Sequence, residues 1–306
     1  MNGKLGSGFL LLALLLAAGA GQAEPRPGSW TFSPVFGISQ PALTILRQGV
    51  FQAPFRGRAQ ITTTLPEDVQ GEATYPEVDF VFYNPLPDVD LGPEAGLEFR
   101  RYVNPRHDFV LGMASWEITT KSAIQVVFPI QGNLDNLADY ERRGSFSYTQ
   151  YYLGWRSYLR PRPKRANLYL DLTLHEIFDV DYKEENVFSF LSGPPAGFRR
   201  IAVYRAQTTG ILVIQAGIGL ELALAGRIAL GMEAAYSKGF RQSPMKGLSK
   251  RDDFNDGDRI TAGLDPLGTD RATGNTYYLD SDGETQQPFL LDFDGWKALI
   301  KVSIEF

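Results

Sequence analysis

The chain contains no cysteine. That excludes disulfides, thiolate nucleophiles, Cys-ligated metals and a lipoprotein anchor. It has only two histidines, His107 and His175, too few for a His-rich metal centre or a two-histidine mechanism. It has no excess of positive charge: 30 Lys and Arg stand against 35 Asp and Glu, for a net charge of −5. The basic field that nucleic acid requires is therefore missing, and no nucleic-acid partner is expected. After the N-terminus there is no run of about 20 apolar residues, so no transmembrane helix is expected. No cofactor motif and no regular metal-ligand spacing stand out.

What remains is a glycine- and aromatic-rich chain of 306 residues, with 31 Gly and 12% Phe, Trp and Tyr. Its overall hydropathy is near neutral. A helical membrane protein would be far more apolar. A membrane β-barrel need not be, because half of each strand faces a polar lumen.

The N-terminus reads as a targeting segment. Lys4 precedes an apolar run from Phe9 to Ala18, and small residues continue through Ala23. This is the order of a secretory signal, with cleavage expected after Ala23 and Gly21 and Ala23 at the small positions. Residues 1–23 are thus assigned to a signal peptide and 24–306 to one domain. The apolar run is too short to span a bilayer comfortably as an uncleaved anchor.

Beyond residue 23 the apolar residues recur at period two. In 295–306 one face carries Trp296, Ala298, Ile300, Val302, Ile304 and Phe306. The other carries Lys297, Leu299, Lys301, Ser303 and Glu305. A strand between lipid and a polar lumen needs this division. The same parity puts Glu233 inward in 227–237 and Gln215, Gly217, Gly219 and Glu221 inward in 210–224. In 167–177 it sends Leu168, Leu170, Leu172 and Leu174 outward, with Asp171, Thr173 and His175 inward. Segment 145–159 sends Tyr151, Leu153 and Trp155 outward and Arg156 inward. Segment 96–103 turns Glu98 and Arg100 inward and leaves Arg101 outward. Segment 109–118 is ambiguous in its facing, and 30–38 is the expected first strand.

These are eight strands with connections of alternating length. The short ones are 104–108, 160–165 and 225–227. The long polar ones are 40–93, 119–144, 179–206 and 240–292. Compact soluble domains rarely carry several loops this long. Membrane barrels do, with short periplasmic turns and long extracellular loops. The expected fold is all-β: a closed antiparallel transmembrane barrel of about eight strands, both termini periplasmic. Ten strands is the alternative count, with 123–130 and 78–83 as the added pair. A secreted β-sandwich also gives alternation, but it does not account for the loop asymmetry.

The strand 295–306 resembles the C-terminal signal of Gram-negative outer-membrane proteins. There a terminal Phe after alternating apolar residues is read by the barrel-insertion machinery. The segments Tyr151-Tyr-Leu-Gly-Trp-Arg156 and Leu168-Tyr-Leu-Asp-Leu172 look like the central hairpin of small porin-like barrels, and 215–221 like the strand that follows. The resemblance covers about the second half of the chain and names no subfamily. It implies a cell outer-membrane location, with lipid and lipopolysaccharide around the barrel. It also implies an assembly signal at Trp296, Val302, Ile304 and Phe306.

In so narrow a barrel the side chains nearly fill the lumen. The inward polar set is Glu98, Arg100, Arg156, Asp171, His175, Glu221, Glu233, Lys297, Lys301 and Glu305. Both charge signs are present, and buried charges pair, so the set reads as a polar plug. The leading expectation is a structural or porin-like surface protein without catalysis. Alternatives are a narrow channel for small solutes, an adhesin acting through its long loops, and a lipid A-modifying enzyme. For the last, His175 is the one plausible base, with Thr173 and Asp171 below it. Steps of about 7 Å between same-face residues argue against a direct relay, and no catalytic residue is assigned. The acidic stretches 251–258 and 280–284 lack calcium-loop spacing and read as solvated loops. Arg56 and Arg58 are candidate contacts to lipopolysaccharide phosphates.

Overall fold

The computed structural model describes residues 28–59, 62–64, 72–74, 78–89, 91–128, 136–162, 165–193, 196–254, 267–280, 282 and 285–306. The expected signal peptide, residues 255–258 of the first acidic stretch and the side chain of Arg58 lie outside them.

The principal strands are β1 (Trp30–Pro41), β2 (Gly92–Asn104), β3 (His107–Val127), β4 (Leu137–Tyr158), β5 (Ala166–Phe190), β6 (Arg199–Thr208), β7 (Ile211–Ala225), β8 (Ile228–Gly239), β9 (Lys246–Phe254) and β10 (Gly295–Glu305). Antiparallel pairing runs β1-β2-β3-β4-β5-β7-β8-β10 and returns from β10 to β1. Eight strands therefore complete a ring. The last residue takes part in closing it: Trp30 N donates to the Phe306 carbonyl, and Phe306 N donates to the Trp30 carbonyl.

The ring has an apolar outer band. Leu97, Leu111, Met113, Leu153, Trp155, Leu168, Leu170, Leu172, Ile218, Met232 and Ile300 are all exposed, mostly near half of their surface. Exposed apolar side chains in a continuous girdle are what a lipid-facing surface requires, and what a soluble surface avoids. Along β4 and the residue that follows it the band covers 151–159. That matches the roughly nine to eleven residues a tilted strand needs to cross a bilayer.

Several strands run well past the band. β3, β4 and β5 are 21, 22 and 25 residues long. Above it the outward positions become polar, as at Lys121, Ser145, Arg143 and Lys183, while the backbone ladder continues. Much of the expected loops 119–144 and 179–206 is therefore strand. The alternation of a membrane strand vanishes where the outer face meets water, although pairing does not stop there. The residues proposed for a ninth and tenth ring strand go elsewhere: 123–127 extend β3, and Val78–Phe82 pairs with Phe55–Ala59.

A bulge marks the boundary. Between Ser147 and Thr149 of β4, β5 carries one extra residue, and Asp179 there has φ +53°. The extra residue flips the parity of β5. Below it odd residues such as Asp171 and Thr173 face in, and above it even residues such as Tyr182 and Glu184 do. β6 and β7 are halves of one path along β5, interrupted at Gly210 with φ +77°.

Above the bulge β1, β2 and β10 have ended, leaving an open sheet β3-β4-β5-β6-β9. Its inner face is covered by two segments. Of the first, the described residues 42–59 and 78–89 contribute the short helix α1 (Thr44–Gln48) and Leu46, Val50, Phe51, Phe55, Phe80 and Phe82. Residues 267–293 contribute Leu267, Phe289 and Leu291. Phe55, Phe82 and Phe128 pack on Tyr140 and Phe188, which stack on each other at 4.4 Å between centroids. The molecule has two storeys: a polar-filled ring within the apolar band, and an aromatic-cored head above it.

Candidate functional site

The ring interior is built in layers. Nearest the short turns, Arg100 Nη1 lies 2.7 Å from Glu221 and donates to the Tyr158 hydroxyl at 2.7 Å, while its Nη2 donates to Ser303 at 2.9 Å. Arg162 reaches in from the β4–β5 turn to Asp108 at 2.5 Å, with its guanidinium 4.0 Å from the Tyr158 ring.

The middle layer joins five strands. Arg156 grips Asp171 at two points, 2.8 and 2.6 Å, and donates to Glu98 at 3.1 Å. Its guanidinium lies 4.0 Å from the Tyr169 ring, within cation–π reach. Lys301 donates to both Glu98 and Glu233 at 2.7 Å. None of these five charged side chains is more than 3% exposed. Tyr169 has room because its strand neighbour is glycine: a Cβ at Gly219 would sit 2.2 Å from the Tyr169 ring.

In the upper layer Lys297 and Gln150 each donate to Glu94 at 3.1 Å. The Gln150 carbonyl accepts from His175 Nδ1 at 3.0 Å, and Thr173 donates to His175 Nε2 at 2.8 Å. Since the Gln150 amide nitrogen is committed to Glu94, the chain of bonds assigns His175 its Nδ1–H tautomer. The expectation that Thr173 and His175 stand too far apart is corrected here. The 7 Å step separates backbone positions, whereas the imidazole leans along the strand and closes the gap. Asp171 does not join them; Arg156 holds it.

Above the band lies a second polar centre. Arg142 meets Glu184 at 3.0 and 3.1 Å. Its remaining N–H groups donate to the carbonyls of Val50, Phe51, Ala53 and Asn84. Tyr182 and Asn186 also donate to Glu184. Burial alone would lower the Arg142 pKa, but Glu184 more than offsets it and the value is raised. Tyr140 and Tyr182 are held protonated, chiefly by burial, and next by the Glu184 charge at Tyr182. The pair clamps residues 50–53 onto the sheet.

Of the residues singled out by parity, Glu98, Arg100, Arg156, Asp171, Glu221, Glu233 and Lys301 lie in one interior network, and Lys297 and His175 sit in the layer above it, joined through Glu94 and Gln150. Glu305 does not join it; it lies at the rim and accepts from Ser29 at 3.0 Å. Trp296 is exposed and packs against Tyr236 in a tilted pair, 4.7 Å between ring centroids, Val302 and Ile304 are half-buried, and Phe306 is exposed. Sequence reading missed Glu94, Asp108, Gln150 and Arg162. Glu94 shares a face with Glu98, so a longer β2 would have included it. Arg162 comes from a turn, where parity says nothing.

The layers leave little space. Two interior cavities, one beside His175 and Glu94 and one beside Gln150 and Phe293, each leave about 10 Å³ for the centre of a water molecule. That is room for roughly one water apiece. No metal-binding grouping of His, Asp and Glu occurs among the described residues.

No protein-family model matches the chain, and no curated protein sequence matches it. Among solved structures, the crystal structure of Acinetobacter baumannii CarO2 is similar at 13% identity and TM-score 0.30, over 83% of this chain and 99% of that one. The outer membrane protease OmpT from Escherichia coli is similar at 9% identity and TM-score 0.35, over 92% of this chain and 97% of that one. These values are too low to carry any residue or role across. The ring of eight strands with its apolar girdle is, on its own geometry, a transmembrane β-barrel of the outer-membrane type.

Proposed function

We propose that the protein is a non-conducting structural surface protein of the outer membrane, exported by residues 1–23, with its short turns in the periplasm and its aromatic-cored head outside the cell. The observation that carries this reading is the Arg156 layer, in which Glu98, Asp171, Glu233 and Lys301 meet across the lumen. Solute passage would have to break several buried charge contacts at once, and each broken pair leaves an uncompensated charge. The head adds a second closure, because Leu46, Phe51, Phe55, Phe80, Phe289 and Leu291 fill the mouth with packed side chains. His175 supports a non-catalytic reading: it is 2% exposed, and both ring nitrogens are engaged within the lumen.

A narrow channel is the second reading, favoured by the two water-sized spaces on either side of Lys297. Planar-bilayer recording separates the two. The plug reading expects no steady conductance from the refolded protein. Reproducible single-channel steps from the wild type, absent from bilayers without protein, would overturn it in favour of the channel.

A further inference from the structure

The charge of this barrel is unevenly distributed along its axis. The chain as a whole is acidic, with net charge −5, yet the short-turn rim carries exposed Arg101, Arg106, Arg160, Arg165 and Arg227. No described carboxylate forms an ion pair with any of the five. The carboxylates near them are engaged elsewhere: Asp108 is buried against Arg162, and Glu305 accepts from Ser29.

These arginines stand at the edge of the lipid-facing band. Arg101 faces outward, 5.9 Å from the Trp30 ring, between exposed Val103 and half-buried Phe99. Arg160 follows exposed Leu159, Arg165 precedes exposed Leu168 by three residues, and Arg227 lies three residues beyond exposed Leu224. Three of the turns contribute, so the cations are spread around the rim. An arginine whose stem lies on apolar surface and whose guanidinium reaches the interface is placed for the phosphate level of a bilayer. Arginine is also the side chain suited to two-point phosphate binding.

We infer that the short-turn rim binds the phosphate headgroups of anionic glycerophospholipids in the leaflet it meets, fixing the depth at which the barrel sits. Lipid is the occupant because Arg101, Arg160, Arg165 and Arg227 lie close in the chain to exposed apolar side chains that must themselves be covered by acyl chains, and Arg106 stands on the same rim. The inference rests on the membrane-barrel reading above.

The test uses the full mature chain in nanodiscs of mixed phosphatidylglycerol and phosphatidylcholine, with retained lipid counted by native mass spectrometry. Gel heat-modifiability is scored first. The wild type retains phosphatidylglycerol preferentially. The variant Arg101→Gln, Arg106→Gln, Arg160→Gln, Arg165→Gln and Arg227→Gln loses about tenfold of that preference. On the wild type alone, raised salt collapses the preference, so the inference is tested even where the variant fails to fold. Heat-modifiable wild type with equal retention of both lipids, or a preference indifferent to salt, overturns the inference and leaves the barrel standing. Absence of heat-modifiability in the wild type overturns both.

Discussion

Arg142 and Glu184 meet at two points, Nε to Oε1 at 3.0 Å and Nη2 to Oε2 at 3.1 Å, with neither side chain more than 2% exposed. The pair does more than join neighbouring strands, because the same guanidinium holds four carbonyls of the covering segment. Arg142→Ala should destabilise the head by about 3–5 kcal/mol, since it leaves Glu184 buried without its cation. Residues 42–59 should become protease-sensitive while the ring stays folded. Limited proteolysis on the heat-modifiable protein checks this, and unchanged resistance would mean the clamp is dispensable. Arg142→Met with Glu184→Leu should cost less than either single change, as no charge is then stranded.

In the ring the equivalent test is Arg156→Ala. Asp171, Glu98 and Glu233 would then face one another with Lys301 as their nearest cation, and a loss of about 3–5 kcal/mol is expected. Urea titration of the gel-shifted form measures it. A loss below about 1 kcal/mol, the ordinary range for exposed pairs, would show that water already screens this layer.

Gly219 faces Tyr169 across β7 and β5. A methyl group there requires the ring to move, because the Cβ would lie 2.2 Å from it. Gly219→Ala should cost about 1–3 kcal/mol by overpacking. In the Tyr169→Ala background the same substitution should be close to neutral. A double-mutant cycle on unfolding midpoints decides the matter, and additive effects would place the ring elsewhere in solution.

The position of the membrane can be read with single arginines. Leu170→Arg, in the middle of the outer band, should cost about 2–4 kcal/mol in lipid. Ser145→Arg, outward on the same wall but above the band, should change stability by less than about 0.5 kcal/mol. Equal costs at the two positions would mean that the apolar band does not mark the bilayer.

Period-two alternation by itself determined the membrane storey. Within the lipid, each strand must show apolar atoms to one side and polar atoms to the other, so facing can be read one residue at a time. That is why Leu168 through Leu174 and Asp171 through His175 separate without coordinates. The rule fails where its cause ends. Above the bulge at Asp179 the outer face meets water, the sequence of β3 to β6 reads as loop, and only the folded chain shows that the ladders continue. Which inward charges meet was also a tertiary matter: a parity pattern places Arg156 in the lumen but does not choose Asp171, four strands' worth of alternatives being available to a long side chain. The clamp at Arg142 and Glu184 was invisible for a related reason. Its partners are backbone carbonyls of a segment roughly ninety residues away, and backbone carbonyls are the same in every sequence.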